Sequence, residues 1–163
     1  MILYHGSNIV VDEPKILPSQ RFLDFGMGFY TTTAEEQAKR WALRVGARRK
    51  SKEQFLSVYD FDLEAAKKEL NIIEFQKADE AWLTFVTACR NGHNINEKYD
   101  IVMGPVADDN VYATVQLYEL GVLEKEEALK RLKVEELYDQ ILFHTEAALR
   151  FCRFREFYAV GGV

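Results

Sequence analysis

The sequence predicts an α+β domain, and three observations carry that prediction. Short runs rich in β-branched and aromatic residues, at 2–4, 29–33, 55–61 and 99–106, are set between stretches of helical periodicity. Helices and strands do not alternate regularly. There is also no G-x-G-x-x-G joining a strand to a helix and no G-x-x-x-x-G-K-[ST], so a doubly wound nucleotide fold is not expected. Finally, the 163 residues are 48% apolar and 13% aromatic, which suits one packed domain over 1–163 with no need of staples.

Taken in order, residues 2–4 form a short strand closed by Gly6. Residues 7–27 hold Pro14, Pro18 and Gly26 with few periodic apolar positions, and a loop of that length inside a small domain commonly carries function. A strand at 29–33 leads into a helix from Ala34 to about Arg49, with Ala34, Ala38, Trp41, Ala42 and Val45 on one face. After the strand at 55–61, Asp62 caps a helix through Leu70. The helix over 79–90 turns Trp82, Phe85, Val86 and Cys89 inward and stops at Gly92. The buried strand at 99–106 ends in Gly104-Pro105. Asp108 or Asp109 then caps a helix to Leu120 that Gly121 stops, and a charged helix covers 124–132. Strands at 140–144 and 156–160, with a short helix between them, complete the chain.

The formal charge is −5, with acids and bases interleaved, so nucleic acid is not among the expected partners. The one basic run, Arg44, Arg48, Arg49, Lys50 and Lys52, reads as the solvated C-terminal end of a helix. Cys89 and Cys152 lie in apolar stretches without metal-ligand spacing, which points to buried free thiols in a reducing compartment and to no metal. The start, Met1-Ile-Leu-Tyr-His-Gly, has no charged n-region, and no apolar run reaches about 18 residues. A cytoplasmic protein without a membrane partner is the expectation.

Two stretches carry chemistry. In Tyr4-His5-Gly6-Ser7, a His at a strand end can hydrogen-bond a hydroxyl, and the glycine lets its backbone approach a planar amide closely. In the stretch from Asp24 to Thr33, Gly26 and Gly28 form a flexible lip before an aromatic strand. Tyr30 on that strand and Trp41 on the next helix can flank a flat ring, and a cationic ring would add about 0.5–2 kcal/mol.

The order His-Gly-Ser, then Phe-Gly-x-Gly-x-Tyr-x-Thr, then Gln37-Ala38-x-x-Trp41-Ala42 resembles the ADP-ribosyltransferase superfamily, in its His–Tyr–Glu branch. Tyr-Asp-Ile-Val-x-Gly-Pro-Val-Ala-Asp at 99–108 and Asp-Gln-Ile-Leu-Phe-His-Thr-x-x-Ala-Leu at 139–149 extend the resemblance to a group of small bacterial proteins in that superfamily, over almost the whole chain. It implies split antiparallel sheets with surrounding helices, NAD as substrate and transfer of ADP-ribose to an acceptor macromolecule. It also implies a toxin-like role with an antitoxin partner. Carried over by position, His5 bonds the adenosine-side ribose, Gly6 clamps the carboxamide, and Tyr30 and Trp41 sandwich the nicotinamide. Ser7 adds a ribose or phosphate contact, and Arg21 approaches the pyrophosphate.

The departure is at the third motif, where Gln140 stands in place of the superfamily's catalytic Glu. An amide orients a ribose hydroxyl but brings no charge, and a well-placed electrostatic contribution of that kind is worth about 2.7–4 kcal/mol in the transition state. Asp139 shares the strand but points to its opposite face, and Glu146 is roughly 20 Å away along an extended chain. Neither is expected to replace the carboxylate. Helix capping accounts for Asp108 and its neighbours Asp109 and Asn110; His144 and Thr145 end a strand and bond backbone; His93 is a turn residue.

Overall fold

A computed structural model describes residues 1–18, 23–93, 95–134 and 137–161. The strands are β1 (Ile2–Ser7), β2 (Phe29–Thr31), β3 (Phe55–Phe61), β4 (Ile72–Glu74), β5 (Ile101–Pro105), β6 (Asp139–Phe143) and β7 (Cys152–Ala159). The helices are α1 (Glu35–Arg49), α2 (Leu63–Glu69), α3 (Glu80–Arg90), α4 (Asp109–Glu119), α5 (Lys125–Leu132) and α6 (Glu146–Leu149), with a 3₁₀ turn at Ile95–Lys98. An α+β fold results.

The strands form two sheets, ordered β1-β3-β7 and β2-β6-β5-β4. The first is antiparallel throughout. The second is antiparallel except at its edge, where β4 runs parallel to β5. Alternation along the strands sorts the apolar residues into two cores. Leu3, Phe29, Tyr59, Phe61, Ile101, Ile141 and Phe143 fill one, drawn from both sheets. Val102 and Leu142, on the opposite face of the second sheet, meet Phe25 and the inner sides of α3, α4 and α5 through Trp82, Val86, Val111, Val115 and Leu132.

Local chemistry explains the helix starts. Asp62, Asp79 and Asp108 each accept a backbone N–H from three residues on, at 3.0, 3.0 and 2.9 Å, as N-caps do. Gly92 and Gly121 take φ of 76° and 73° just past their helices.

Four expectations need correction. β1 does not close at Gly6 but runs through it, with Gly6 opposite Leu56 of β3. β4 is a strand that the sequence pattern does not announce, and it makes the second sheet mixed rather than wholly antiparallel. β7 begins at Cys152, well before residue 156. The buried face of α1 is Ala38, Ala42, Val45 and Gly46, whereas Trp41 is 43% exposed. The reason lies in the packing distance: a Cβ on Gly6 would sit 2.0 Å from the Ala38 carbonyl oxygen. Helix and strand are so close that only small residues fit between them. Among the described residues, no helix is long and apolar enough to cross a membrane.

Candidate functional site

The two sheets meet where β1 passes β2. Tyr4 and Thr32 exchange both backbone hydrogen bonds, at 2.8 and 3.0 Å. Met1 and Phe61 likewise exchange theirs at 2.8 and 2.9 Å, so the odd-numbered residues of β1 direct N–H and C=O towards β3 and the even-numbered ones towards β2. Gly6 is the next even residue, and continuing the register sets it across from Tyr30. Among the described residues, no backbone bond joins the two. Instead the His5 ring crosses the gap, with Nδ1 2.7 Å from the Tyr30 carbonyl oxygen. The ladder therefore opens into a split after one rung. Gly6 contributes an N–H and a C=O to one wall, and the imidazole ties the other wall back.

The bond to a carbonyl fixes the His5 tautomer. A carbonyl oxygen only accepts, so Nδ1 carries the proton and Nε2 of the neutral ring is an acceptor. Burial holds the His5 pKa below the usual histidine range, assisted by the Arg49 charge and opposed by the bond to Tyr30. The ring also lies against Phe29, with centroids 4.5 Å apart. Ser7, of the same strand parity, is buried at the end of β1. Arg21 lies outside the described residues.

Tyr30 presents its carbonyl to His5, but its phenol turns to the other face of β2, where it packs against the core under α3 and α4. Gln140 is on that same face. Tyr30 pairs with Leu142, which makes Gln140 its diagonal neighbour, typically about 7–8 Å away. One loop holds both side chains. The Tyr30 hydroxyl donates to the Gly26 carbonyl at 2.5 Å and accepts the Phe25 N–H at 3.1 Å. The Gln140 amide, 6% exposed, donates through Nε2 to Asp24 Oδ2 at 3.3 Å and to the Pro105 carbonyl at 3.4 Å. Burial pushes the Tyr30 hydroxyl pKa well above its usual value, and the Asp24 charge pushes the same way.

Asp24 is the residue sequence reasoning missed. Its Oδ2 also accepts the Ala107 N–H at 3.1 Å, while Oδ1 faces Arg90 Nε at 3.4 Å. Arg90 in turn lies over the Tyr112 ring, 3.8 Å from its centroid. Burial raises the Asp24 carboxyl pKa, and Arg90, the Ala107 N–H and the Gln140 amide work against that rise. The available signal was its place at the head of Phe25-Gly26-Met27-Gly28.

The other candidates have structural duties. Asp139 accepts from Thr32 Oγ1 and Thr33 N at 2.9 Å each and from Thr33 Oγ1 at 2.6 Å, fixing the turn into α1. Glu146 receives the Ile16 N–H at 3.5 Å. His144 Nδ1 is 2.7 Å from the Met27 carbonyl oxygen, and Thr145 caps α6 through Ala148 N. A cavity of about 190 Å³ at the ends of β5 and β6 is lined by Gly104, Pro105, Asp139 and Gln140, among others, but not by His5, Tyr30 or Trp41.

A family model described as protein of unknown function (DUF3990) matches residues 1–154. The chain belongs to this family. The DUF3990 match runs from β1 into β7, so it takes in the split, the Asp24 loop and Gln140. No curated protein and no solved structure matches the chain.

Proposed function

We propose that this DUF3990 protein binds NAD at the split between β1 and β2 and acts as a mono-ADP-ribosyltransferase. The observation that carries the reading is the pairing of Gly6, whose N–H and C=O face the split, with a neutral His5 whose Nε2 can accept. A primary carboxamide needs one donor and one acceptor side by side, and a ribose hydroxyl needs an acceptor. In this reading Gly6 receives the carboxamide, His5 Nε2 takes a hydroxyl hydrogen of the adenosine-side ribose, and Gln140 orients the 2′-hydroxyl of the nicotinamide-side ribose. Tyr30, its ring fixed through the hydroxyl, and the half-exposed Trp41 flank the nicotinamide. The bond between nicotinamide and ribose breaks, nicotinamide leaves with the bonding pair, and the ribose carbon is captured by a nucleophile of the acceptor, which releases a proton. A cytoplasmic setting, where Cys89 and Cys152 stay reduced, and a toxin-like role countered by an antitoxin protein belong to the same reading.

A second reading has its own support. Gln140 brings no charge to the developing oxocarbenium ion, and its amide faces Asp24 rather than lying alone. The protein would then hold NAD or an ADP-ribosyl group without turnover. Incubation with NAD labelled in its adenylate half separates the two. Nicotinamide release with label on a macromolecule supports the transferase. Calorimetric binding without release supports the binding module, and an absence of both overturns each reading.

A further inference from the structure

Both neighbours of the Gln140 amide nitrogen, the Asp24 carboxylate and the Pro105 carbonyl, can only accept hydrogen bonds. The orientation of the amide is therefore set: its NH₂ faces Asp24 and Pro105, and Oε1 faces away. A glutamate of the same size at this position would bring a carboxylate oxygen within about 3.3 Å of Asp24 Oδ2 and close to the Pro105 carbonyl as well. Asp24 itself is not free to move aside, because Ala107 N–H and Arg90 hold it from two other directions. The residue after it, Phe25, donates its N–H to the Tyr30 hydroxyl, so the same loop fixes both side chains.

We propose that Asp24 is a positioning residue for the site: it holds the Gln140 amide with Oε1 presented to the ribose, and it excludes a glutamate from position 140. The first half rests on the reading of ADP-ribose transfer given above; the second does not. Glutamine at this place is then not a weakened glutamate but the partner that a buried carboxylate next door demands. The carboxylate of the pair stands on the loop, and the strand residue is its neutral member.

A charge exchange tests both halves. Wild type, Asp24→Asn, Gln140→Glu and the double variant are compared by thermal unfolding and by nicotinamide release from NAD. Gln140→Glu is expected to lower the melting midpoint and to reduce turnover at least tenfold. Asp24→Asn should lower kcat about tenfold while changing the calorimetric Kd for NAD less than about threefold, since the lost effect is orientation rather than binding. The double variant restores one carboxylate and one amide but leaves the carboxylate at position 140 beside the Pro105 carbonyl, so it should recover part of the midpoint and part of the turnover lost in Gln140→Glu. A rise in turnover in Gln140→Glu alone, or a double variant no better than either single one, overturns the proposal. If wild type releases no nicotinamide, the transferase reading falls, and with it the presentation of Oε1. The exclusion of glutamate is still decided by the midpoints: non-additive recovery in the double variant supports it, and additive losses reject it.

Discussion

Replacing Gly6 by alanine gives the most direct test of how the site is held. The added methyl would stand 2.0 Å from the Ala38 carbonyl oxygen and 2.7 Å from the Ala42 nitrogen, both of them backbone atoms of α1. Ordinary contact begins near 3.5 Å, so the helix must retreat by roughly 1.5 Å or the strand must bow into the split. Overpacking of this kind costs about 1–3 kcal/mol, and a rigid backbone neighbour places it near the upper end. In a chain of this size each kcal/mol moves the melting midpoint by roughly 2–4 °C, so a loss of roughly 6–12 °C is expected in a circular dichroism melt. Gly46→Ala is the internal control. Its methyl would meet the Gln54 side chain, with the nearest atom at 2.4 Å, and that side chain can swing away. Alanine also favours the helix by about 0.8–1 kcal/mol, so this variant should melt within a few degrees of wild type. A Gly6→Ala protein that melts within about 2 °C of wild type would refute the close packing of α1 on β1.

Other expectations follow from the same geometry. The folded-state pKa of His5 is depressed, so the unfolded chain takes up the proton first as pH falls through about 6.5. Stability contributed above that pH is lost on acidification, and His5→Gln should show a shallower loss between pH 7 and 5 than wild type; equal slopes in urea titrations would reject this. Trp41→Ala, at a position 43% exposed, should leave stability within about 0.5 kcal/mol and weaken calorimetric NAD binding a few-fold to tenfold. A lower midpoint with unchanged affinity would mark Trp41 as a packing residue instead. Asp139→Ala removes three hydrogen bonds at the turn into α1, two of them exposed, and should cost about 0.5–1.5 kcal/mol in denaturant unfolding. Burial pushes both thiols, Cys89 and Cys152, up to about 12, so the native protein should resist iodoacetamide at pH 8 and react only when unfolded.

The helices were the most legible part of the fold, because their signals are local. Asp62, Asp79 and Asp108 mark their own helix starts within three residues. β4 was silent for the opposite reason: Ile72-Ile73-Glu74 is too short to show a period, and only its parallel neighbour β5 makes it a strand. Helical spacing alone puts Trp41 beside Ala38, Ala42 and Val45, on the inward face. The closeness of β1, which decides the matter, is a property of Gly6. At the site, the strands bearing His5, Tyr30 and Gln140 were legible from pattern. That His5 meets the backbone of Tyr30, while its phenol shares a face with Gln140, depends on register. Asp24 and Arg90 meet only through tertiary structure, which no local pattern records.

The single rung between the sheets makes Gly6 a reporter of whatever enters the split. Tyr4 and Thr32 close that rung with two short backbone bonds, and their amides should exchange with deuterium slowly. The Gly6 amide, two residues further on and without a backbone partner across the gap, should exchange far faster, although β1 pairs with β3 through its whole length. Any compound that offers an acceptor to that N–H would slow its exchange and leave Tyr4 and Thr32 unchanged. Occupancy of the split can thus be followed at one amide, with no turnover and no knowledge of the acceptor.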